Sequence, residues 1–452
     1  MALQSLRILV IGGGAAGFFG ALTCAFAHPR TQVTLVEAGR QPLSKVRISG
    51  GGRCNVTHAC FDPALLVQNY PRGSKALQGA LTRFQPKDTV AWFQSRGVQL
   101  KTESDGRMFP ITDSSETIVN CLHKAAEDAG VKLRMGTAVK SIRRQSDQSE
   151  EPPQPPLGKG GSIPEESQDV PPLIRGARGV NPVSAKSGFQ VELKSGEVIR
   201  CDRILLATGS NPQGYAIAKA LGHTVEPPVP SLFTFNIPDP RLQDLAGVSV
   251  NNAQLRLPEA GKTLKEETGP LLITHWGLSG PAVLKLSAWG ARFLHDHHYQ
   301  TPLLVNWLPQ YNQESLRQML FAVKSQLPRR QVTTSCPVPI PKRLWESLVA
   351  RVGIGGEERW AEVSKKALNQ LVQELNQGEY SIKGKGVFKE EFVTCGGVSL
   401  KEVDFKTMES RLVPGLYFAG EILDIDGVTG GFNFQSAWTT GWLAGQAMGN
   451  RV

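Results

Sequence analysis

The sequence of 452 residues predicts an α/β protein in which a parallel-sheet domain is interrupted by a β-rich segment and a small helical unit. Three observations predict this fold. The first 37 residues contain a strand, a glycine turn, a helix and a second strand, in that order. Short strand-like segments begin at about residue 214, and a strand followed by a glycine turn and a helix returns near the C-terminus. The length is sufficient for two or three domains with large cores.

The first strand–turn–helix unit is typical of a dinucleotide-binding domain. Arg7–Ile11 is mostly apolar and predicts a buried parallel strand. Gly12, Gly14 and Gly17 then give the spacing G-x-G-x-x-G. In this pattern the first glycine permits a tight turn, the second lets the backbone approach a pyrophosphate, and the third lets the helix pack closely on the strand. The helix predicted over 15–27 directs its N-terminal N–H groups at the phosphates.

Glu37 completes this unit, because it ends the predicted strand Gln32–Val36 and lies 20 positions after Gly17. A carboxylate at this place accepts hydrogen bonds from an adenosine ribose. The chain contains 47 glycines, so the glycine spacing alone is a weak signal, and the alternative is a glycine-rich turn without a ligand. The order of all these features within one short stretch favours a bound dinucleotide.

Composition argues against several classes of protein. The formal net charge is +10, but no basic run is longer than two residues, so the charge is dispersed and we expect no nucleic-acid partner. Seven cysteines form no C-x-x-C pair, which argues against a zinc site or a disulfide framework and favours a reducing compartment. No apolar run approaches 18 residues, and the N-terminus has no signal-peptide pattern. We therefore expect a cytoplasmic protein with no metal and no membrane span.

A second glycine-rich stretch covers Ser49–His58. Three consecutive glycines, Gly50–Gly52, disfavour both helix and strand and leave a backbone that a flat ligand can touch. Arg53 offers charge-assisted donors to a phosphate, and Asn55 offers hydrogen bonds. Cys54 is a candidate catalytic thiol whose pKa the neighbouring charge lowers, and a packed, inert cysteine is the alternative. For the whole stretch the alternative is a flexible turn.

The first part of the dinucleotide-binding domain is predicted to cover residues 1–213. Its further elements are helices over 85–97 and 116–129, the second capped by Ser114 or Ser115, and strands at 131–135, 138–142, 189–193 and 203–209, the last ending in a small-residue loop. Residues 145–188 contain eight prolines and no aromatic residue. Such a segment cannot bury enough apolar surface to offset the entropy of ordering, so we expect a disordered insertion.

The middle of the chain predicts a separate, inserted unit. Residues 214–312 predict a β-rich domain, with strands at Ser231–Ile237, Val248–Val250, Ala253–Leu257, Leu271–Thr274 and Leu303–Trp307. The loop His275–Pro281 leads into a helix over 281–294. Helical spacing over 313–327, 341–352 and 364–377 predicts a helical unit at 313–379, and residues 380–391 return to a strand pattern.

Residues 392–452 are predicted to form the second part of the dinucleotide-binding domain. The predicted strand Gly415–Ala419 runs into Gly420 and Glu421, and a glycine-rich turn over 426–435 leads into a helix over 434–448. A strand that feeds a glycine turn and a helix N-terminus is an anion-binding arrangement. The alternative is a purely structural turn, but its pairing with the N-terminal unit favours a ligand that contacts both ends of the chain.

Together these motifs resemble those of the YhiN/BaiN-type flavoproteins, a family of FAD-containing proteins. The resemblance rests on GGGAAG, ISGGGRCNVTH, THWGLSGP, VTCGGV, TMES and YFAGEILDIDGVTGGFNFQSAW, and it covers nearly the whole chain except 145–188. It implies a two-part glutathione-reductase-like FAD-binding Rossmann domain with an inserted β-barrel-like domain that carries the small helical unit.

The resemblance also implies which residues bind FAD. By this match the FAD-binding motifs contain Gly14, Glu37, Arg53, Cys54, Asn55, Val139, Gly420, Asp426 and Asn433. The glycine turns add seven residues to the predicted cofactor-binding set: Gly12, Ala16, Gly17, Gly209, Glu421, Gly431 and Phe432.

An FAD-dependent oxidoreductase is the function that the resemblance implies. We expect hydride transfer from the reduced flavin to a small-molecule acceptor with a conjugated, enone-like C=C bond. NAD(P)H is the expected electron donor, although the sequence contains no second strand–GxGxxG–helix unit and Gly353–Gly356 lacks the third glycine. A flavin monooxygenase and a non-catalytic FAD-binding or partner-binding protein are the alternatives. The sequence leaves the oligomeric state open.

His275 is the candidate proton donor. It ends a predicted strand of the inserted domain, and we expect the acceptor to lie near His275–Pro281, between the flavin and that domain. An imidazole titrates near neutrality and can donate the proton that completes a reduction. The alternative is a histidine that only caps or packs the turn.

Overall fold

The computed structural model describes residues 5–145, 188–259, 262–386 and 393–450. The predicted disordered insertion lies outside the described residues, apart from Gln145 and Gly188 at its two ends, and so do residues 387–391 of the predicted return strand. The N–H of Gln145 donates to the carbonyl of Gly188 at 2.8 Å. The two chain ends that flank the insertion are therefore paired with each other.

Strands and helices alternate through the first half of the chain. The strands are β1 Arg7–Ile11, β2 Gln32–Val36, β3 Thr57–His58, β4 Leu100–Thr102, β5 Arg107–Pro110, β6 Lys132–Arg134, β7 Val139–Arg144, β8 Phe189–Leu193, β9 Val198–Cys201 and β10 Arg203–Leu206. The helices are α1 Ala15–Ala27, α2 Ser44–Gly52, α3 Pro63–Leu66, α4 Ser74–Arg83, α5 Pro86–Gln94, α6 Ser115–Asp128 and α7 Pro212–Ala220.

The inserted part follows. Its strands are β11 Val225–Ser231, β12 Phe235–Asn236, β13 Ser249–Glu259, β14 Lys262–Thr274, β15 Gly277–Ser279, β16 Thr301–Asn306, β17 Gly378–Ile382 and β18 Gly384–Lys385. Its helices are α8 Pro281–Trp289, α9 Ala291–Asp296, α10 Gln313–Gln326, α11 Lys342–Arg351 and α12 Lys365–Gln377. The C-terminal part contains β19 Val393–Val398, β20 Val403–Asp404, β21 Glu409–Ser410, β22 Leu416–Phe418 and α13 Phe432–Met448.

One seven-stranded sheet joins the two ends of the chain. Its order is β20-β21-β22-β10-β1-β2-β6, and the strands from β22 to β6 run parallel. Strand β1 therefore lies between β2 and β10, and β10 brings in β22 from the C-terminal part. Because the carboxyl ends of parallel strands share one edge, the turns after β1, β10 and β22 meet there. This confirms the predicted two-part parallel-sheet domain.

The inserted sheet curls into a barrel-like shape. Its order is β17-β16-β13-β14-β15-β12-β18, and all its pairs are antiparallel. The two edge strands β17 and β18 are separated in sequence by Lys383 alone. The two edges of the sheet must therefore lie next to each other, which agrees with the β-barrel-like fold implied by the family resemblance.

The helical unit does not stand apart from this sheet. Buried side chains of α10, α11 and α12 share one core with the strands, in which Trp345 and Trp360 are wholly buried. The two cores of the molecule are linked by β11 and β19, which pair antiparallel. Helix α7 packs in the first core through Tyr215, Ile217 and Ala218, although it lies beyond the predicted limit of the parallel-sheet domain at 213.

Several predicted elements differ from the structure in detail. The helix predicted over 281–294 is broken at Gly290, where a side chain would meet Leu257 at 2.7 Å. The predicted strand Ser231–Ile237 is interrupted, because Leu232 has a φ of 59° and β12 begins only at Phe235. The two strands predicted over 248–257 are one strand, β13, with an irregularity after Val250. Ser114 is the N-cap of α6, but its side chain makes no capping hydrogen bond.

Helices α1 and α13 pack at backbone contact distance. A Cβ atom on Gly441 would lie 2.6 Å from the carbonyl oxygen of Ala16, and one on Gly445 would lie 2.6 Å from that of Gly20. The glycines are thus required by the close approach of the two helices. This contact fixes the glycine-rich turn before α13 against the glycine turn before α1.

Gly441→Ala therefore tests the helix contact. The added methyl group has no room, and we expect the free energy of unfolding to fall by about 1–3 kcal/mol, measured by urea unfolding followed by circular dichroism. Gly79→Ala in α4 is the matched control, because a Cβ atom there meets nothing within 4 Å. Alanine in an open helical position stabilises by about 0.5–1 kcal/mol. Equal effects of the two substitutions would contradict the close contact.

Candidate functional site

The turn between β1 and α1 has the geometry that its glycines predict. Gly12 has a φ of 111°, and a Cβ atom on it would lie 2.3 Å from the carbonyl oxygen of Ala207. A Cβ atom on Gly17 would lie 1.9 Å from the carbonyl oxygen of Gly12. Gly14 differs, since it is exposed and a Cβ atom on it would meet nothing within 4 Å. The N-terminus of α1 is therefore open at Gly14, where a ligand can approach the backbone.

Glu37 lies beside this open turn. Its Oε2 accepts a hydrogen bond from Gly13 N at 2.6 Å, and its Oε1 accepts one from Gly39 N at 2.7 Å. The carboxylate is thus oriented by two backbone donors and is only half-buried. Ala16, in contrast, is buried, with its side chain against Gly420, so only its backbone is available to a ligand.

The residues from Gly50 to Arg53 leave the regular helix, and Arg53 is held by side chains from a later part of the chain. Gly50 and Gly51 adopt left-handed φ values of 59° and 70°, so regular helix ends before them. The guanidinium of Arg53 lies over the ring of Phe109 and pairs with Glu103 at 2.6 Å. This hydrogen bond raises the pKa of Arg53. Glu103 is thus the partner of Arg53 in this structure, and the phosphate contact of Arg53 stays a prediction.

Cys54 is wrong as a candidate catalytic thiol. Its side chain is wholly buried, at 0% exposure, and burial raises its pKa to about 12. The predicted lowering of the Cys54 pKa is therefore wrong, because desolvation by burial raises it instead. The alternative of a packed, inert cysteine describes the structure.

Asn55 joins the glycine-rich stretch Ser49–His58 to the turn over 427–433. Its amide donates to Thr57 O at 3.1 Å and accepts from Gly431 N at 2.9 Å. Gly431 is the N-cap of α13 with a φ of 93°, and a Cβ atom on it would lie 2.5 Å from Thr57 O. The backbone at the start of α13 therefore lies directly against the backbone after the three glycines.

The turn over 427–433 is closed from within. Asn433 accepts from Gly427 N and donates to Gly427 O, both at 2.8 Å. Phe432 is buried, and its ring stacks on His58 at 4.6 Å. Tyr70 donates its hydroxyl to the carbonyl of Phe432 at 2.8 Å. The predicted residues Asn433 and Phe432 thus hold the shape of the turn with their side chains.

Asp426 joins the C-terminal part of the chain to the inserted part. It has no exposed surface, and its carboxylate pairs with Arg72 and accepts from Ser231 Oγ at 2.7 Å. Arg72 also donates to the carbonyl of Ala288 in α8 at 2.6 Å. The carboxylate has no accessible surface and is bound by partners within the protein, and the cofactor-binding role of Asp426 stays a prediction. The residue anchors the inserted part to the parallel-sheet domain.

Burial raises the pKa of Asp426, because desolvation of the carboxylate outweighs the favourable effect of Arg72. The same cause raises the pKa of Asp424, which lies two residues earlier and faces Arg292 at 3.6 Å.

Glu421 and Gly209 come together at the carboxyl ends of β22 and β10. Gly209 has a φ of 59°, and a Cβ atom on it would lie 3.6 Å from Glu421 Oε2. Glu421 Oε1 accepts from Thr394 N at 3.0 Å, and Oε2 pairs with Lys45. Val139, the remaining predicted residue, is buried at the start of β7 opposite Leu193, so it too offers only backbone to a ligand.

Comparison with protein families agrees with this geometry. Residues 6–151 match the HI0933-like protein Rossmann domain, and residues 229–393 match the HI0933-like protein barrel and H2TH domain. The chain is 30% identical to a ribosomal RNA dihydrouridine synthase of Escherichia coli strain K12, with 98% of each chain covered. The chain belongs to the HI0933-like family.

Two further relatives belong to the same comparison. A ribosomal RNA dihydrouridine synthase of Haemophilus influenzae is 30% identical, with 96% of each chain covered. A 3-dehydro-bile acid delta(4,6)-reductase of Clostridium scindens is 27% identical, with 98% of this chain and 99% of that protein covered. The resemblance to YhiN/BaiN-type flavoproteins is thereby confirmed.

FAD is the cofactor of this HI0933-like chain, which is an FAD-dependent oxidoreductase. The residues present fit it. Gly14 leaves open the N-terminus of a helix, and Gly51 and Gly52 leave a backbone on which a Cβ atom would meet nothing within 4 Å. Glu37 is oriented beside the opening at Gly14. Glu421 follows β22 and so lies at the same carboxyl edge of the parallel sheet.

Lys285 is a candidate that sequence reasoning missed. It lies on α8 four residues before Trp289, and Leu284, Ala288 and Trp289 pack into the core of the parallel-sheet domain. Lys285 is half-buried, and among the described residues it makes no hydrogen bond or ion pair. The apolar residues of α8 are spaced so that they lie on one face of the helix and pack onto this domain. That spacing was the sequence signal that could have pointed to Lys285.

The charge of Lys285 acts on His58, which contacts the turn over 427–433. Burial lowers the pKa of His58, and the nearby Lys285 lowers it further. His58 Nδ1 lies 3.0 Å from Gly430 O, which favours the tautomer that donates to this carbonyl. His58, whose ring stacks on Phe432 at the start of α13, is therefore near Lys285 of the inserted domain.

His275 also belongs to the inserted domain and lies six residues before the start of α8. With Trp276 it forms the two-residue turn between β14 and β15, where Thr274 pairs with Gly277. The side chain is exposed and makes no hydrogen bond with the described part of the chain. It does not cap the turn, so that alternative is wrong.

Within the residues that the structure describes, no group of three or more His, Cys, Asp or Glu side chains could hold a metal ion. None of the described helices is long and apolar enough to cross a membrane.

Arg72→Met tests the anchor at Asp426. Removal of the guanidinium leaves a buried carboxylate without its counter-charge, and we expect a loss of about 3–5 kcal/mol in the free energy of unfolding at pH 8. Without Arg72 the pKa of Asp426 in the folded protein rises further above its unfolded value. The folded state then binds the additional proton, so the stability of the variant falls as pH rises above about 4.

The double variant Arg72→Met/Asp426→Asn is the control. It has no carboxylate to desolvate, so it should be more stable than Arg72→Met at pH 8 and lose the dependence on pH. Urea unfolding between pH 5 and pH 8 measures both effects. A cost of Arg72→Met that is independent of pH and unchanged by Asp426→Asn would contradict the anchor.

Proposed function

We propose that this protein reduces a carbon–carbon double bond conjugated to a carbonyl group, with NAD(P)H as the source of electrons. The observation that carries the proposal is the tie between α8 and the turn that precedes α13, because Arg72 pairs with Asp426 and donates to the carbonyl of Ala288 at 2.6 Å. It brings the half-buried Lys285 of α8 close enough to His58 for its charge to lower the pKa of that imidazole. An acceptor between the two domains would meet a positive charge where its carbonyl oxygen becomes negative.

The names of the relatives support the same chemistry. Dihydrouridine is uridine whose C5=C6 bond, conjugated to the C4 carbonyl, has been saturated. A delta(4,6)-reductase of 3-dehydro bile acids acts by its name on double bonds in conjugation with a 3-oxo group. The two substrates share no shape, but both are electron-poor C=C bonds that accept a hydride at the carbon remote from the carbonyl.

FAD, when bound, supplies hydride transfer to such a carbon. The N-terminus of α13 carries a partial positive charge and stabilises negative charge at the turn over 427–433. Lys285 would stabilise the enolate oxygen that forms on the acceptor, and the proposed donor His275 would supply a proton to the carbon next to the carbonyl. One hydride and one proton then saturate the double bond.

A uracil base in ribosomal RNA is the acceptor that we favour. Two relatives at 30% identity are named for that product, and the net charge of +10 attracts a polyanion. The expectation of no nucleic-acid partner stays an untested prediction, and these names argue against it. The steroid-type dienone is the second candidate, favoured by the relative at 27% identity.

An anaerobic half-reaction assay decides between them. We expect NADH or NADPH to bleach the flavin absorbance near 450 nm, and unmodified ribosomal RNA to restore it. Nucleoside digestion and mass spectrometry should then find a gain of two hydrogens on uridine. RNA from the same reaction without reductant is the control, and dithionite replaces NAD(P)H where neither nicotinamide reacts.

The other outcomes are equally informative. Recovery of the absorbance only with a 4,6-dien-3-one steroid would replace the RNA proposal with the second candidate. Rapid oxidation by oxygen coupled to hydroxylation would identify a monooxygenase, and a flavin that exchanges electrons with no acceptor would indicate a binding role.

His275→Ala tests the proposed proton donor. Loss of the donor should slow acceptor reduction on the order of a hundredfold, while flavin content and the rate of flavin reduction by NAD(P)H or dithionite stay unchanged. His295→Ala is the matched control, since His295 is another exposed histidine of the inserted domain. Stopped-flow absorbance measures both half-reactions. Unchanged turnover in His275→Ala would remove this residue from the mechanism. Lys285 would then remain as the candidate residue of the inserted domain that acts on the acceptor.

A further inference from the structure

Lys45 reaches across the carboxyl edge of the parallel sheet. The N–H of Leu43 donates to Gly13 O at 2.8 Å, which ties the start of α2 to the first glycine turn. From the first turn of α2, the ammonium of Lys45 reaches Ser210 Oγ at 3.4 Å and pairs with Glu421. Ser210 follows β10 and Glu421 follows β22. The side chain thus spans the edge that FAD must occupy to contact both ends of the chain.

The two members of this ion pair are held unequally. Glu421 is anchored by Thr394 N at 3.0 Å and keeps 20% side-chain exposure, whereas Lys45 is 47% exposed. A single, half-exposed ion pair contributes little to stability, typically about 0–1 kcal/mol. Lys45 can therefore leave Glu421 at small cost when a stronger anionic partner is present.

The open turn at Gly14 needs a cation from outside α1. The N–H of Gly13 is already donated to Glu37 at 2.6 Å, so one donor of the turn is taken and a carboxylate lies beside it. The first turn of α1 contains only Ala and Gly side chains with Phe18, and none carries charge. The pyrophosphate of FAD brings about two negative charges to this place. The partial charge of the helix N-terminus alone does not balance them.

We propose that Lys45 is the counter-charge of the FAD pyrophosphate, and that its ion pair with Glu421 is exchanged for the phosphate when FAD binds. The exchange frees Oε2 of Glu421, while Thr394 keeps the carboxylate in place. This inference concerns cofactor binding alone and is independent of the acceptor and of the electron donor.

Flavin titrations of the deflavinated full-length protein test the exchange. We expect Lys45→Met to weaken FAD binding by about 10- to 100-fold while binding of riboflavin, which has no phosphate, is unchanged. Quenching of flavin fluorescence measures both dissociation constants. The dissociation constant of FAD should rise with salt more steeply for the wild-type protein than for Lys45→Met, because one charge contact is screened.

Lys342→Met is the matched control, since Lys342 is also an exposed lysine in a single ion pair, with Glu346 in α11. It should bind both flavins as the wild type does. Lys45→Arg keeps the charge and should restore most of the FAD affinity. Wild-type FAD affinity in Lys45→Met, or an equal loss of riboflavin and FAD affinity, would overturn the proposal. The ratio of the two affinities makes the result independent of any general loss of folding.

Discussion

The close packing of α1 against α13 is the contact on which the cofactor site depends. The two helices belong to opposite ends of the chain, and glycines at 20, 441 and 445 let their backbones approach within contact distance. Larger side chains would hold the helices apart by several ångströms. The start of each helix carries a glycine turn, so the separation of the helices sets the separation of the two turns. A single cofactor can bridge them only because this packing is so tight.

A second constraint fixes the inserted domain over that groove. Arg72 donates to Asp426, to Ser231 and to the carbonyl of Ala288, and these lie in the C-terminal turn, the connecting strand and α8. Desolvation of the Asp426 carboxylate costs free energy when the ion pair forms. Removal of Arg72 alone is also destabilising, because it leaves a buried charge without its partner. The value of the ion pair lies in position, because it ties α8, which carries Lys285, to the turn that precedes α13. The geometry of the proposed acceptor site therefore depends on a residue that touches neither cofactor nor acceptor.

The sequence predicted the parallel-sheet domain well because glycine spacing and strand hydrophobicity are local. Gly12, Gly14 and Gly17 each have the role that their positions imply, and Glu37 lies beside the turn. The pattern could not distinguish a polar residue that binds a ligand from one that holds the loop. Asn433 closes its own turn, and Arg53 pairs with Glu103, fifty residues away in sequence. The ion pair of Asp426 could not be seen either, since its partner Arg72 is far along the chain. Lys285 and Lys45 were missed because a lysine on a helix has no local signal of function.

The polar groups around the groove are held in place by partners within the protein. Glu37 is satisfied by two backbone donors, Glu421 by Thr394 and Lys45, and Asn55 by Thr57 and Gly431. Each of these three side chains therefore has a partner within the protein. Binding then requires little reorganisation, because donors are exchanged rather than created. Contacts between backbone and side chain fix Glu37, Glu421 and Asn55, whereas the contact between Lys45 and Glu421 joins two side chains across the edge. This is the contact that a ligand can replace without disturbing the turns, which is why the exchange is located there.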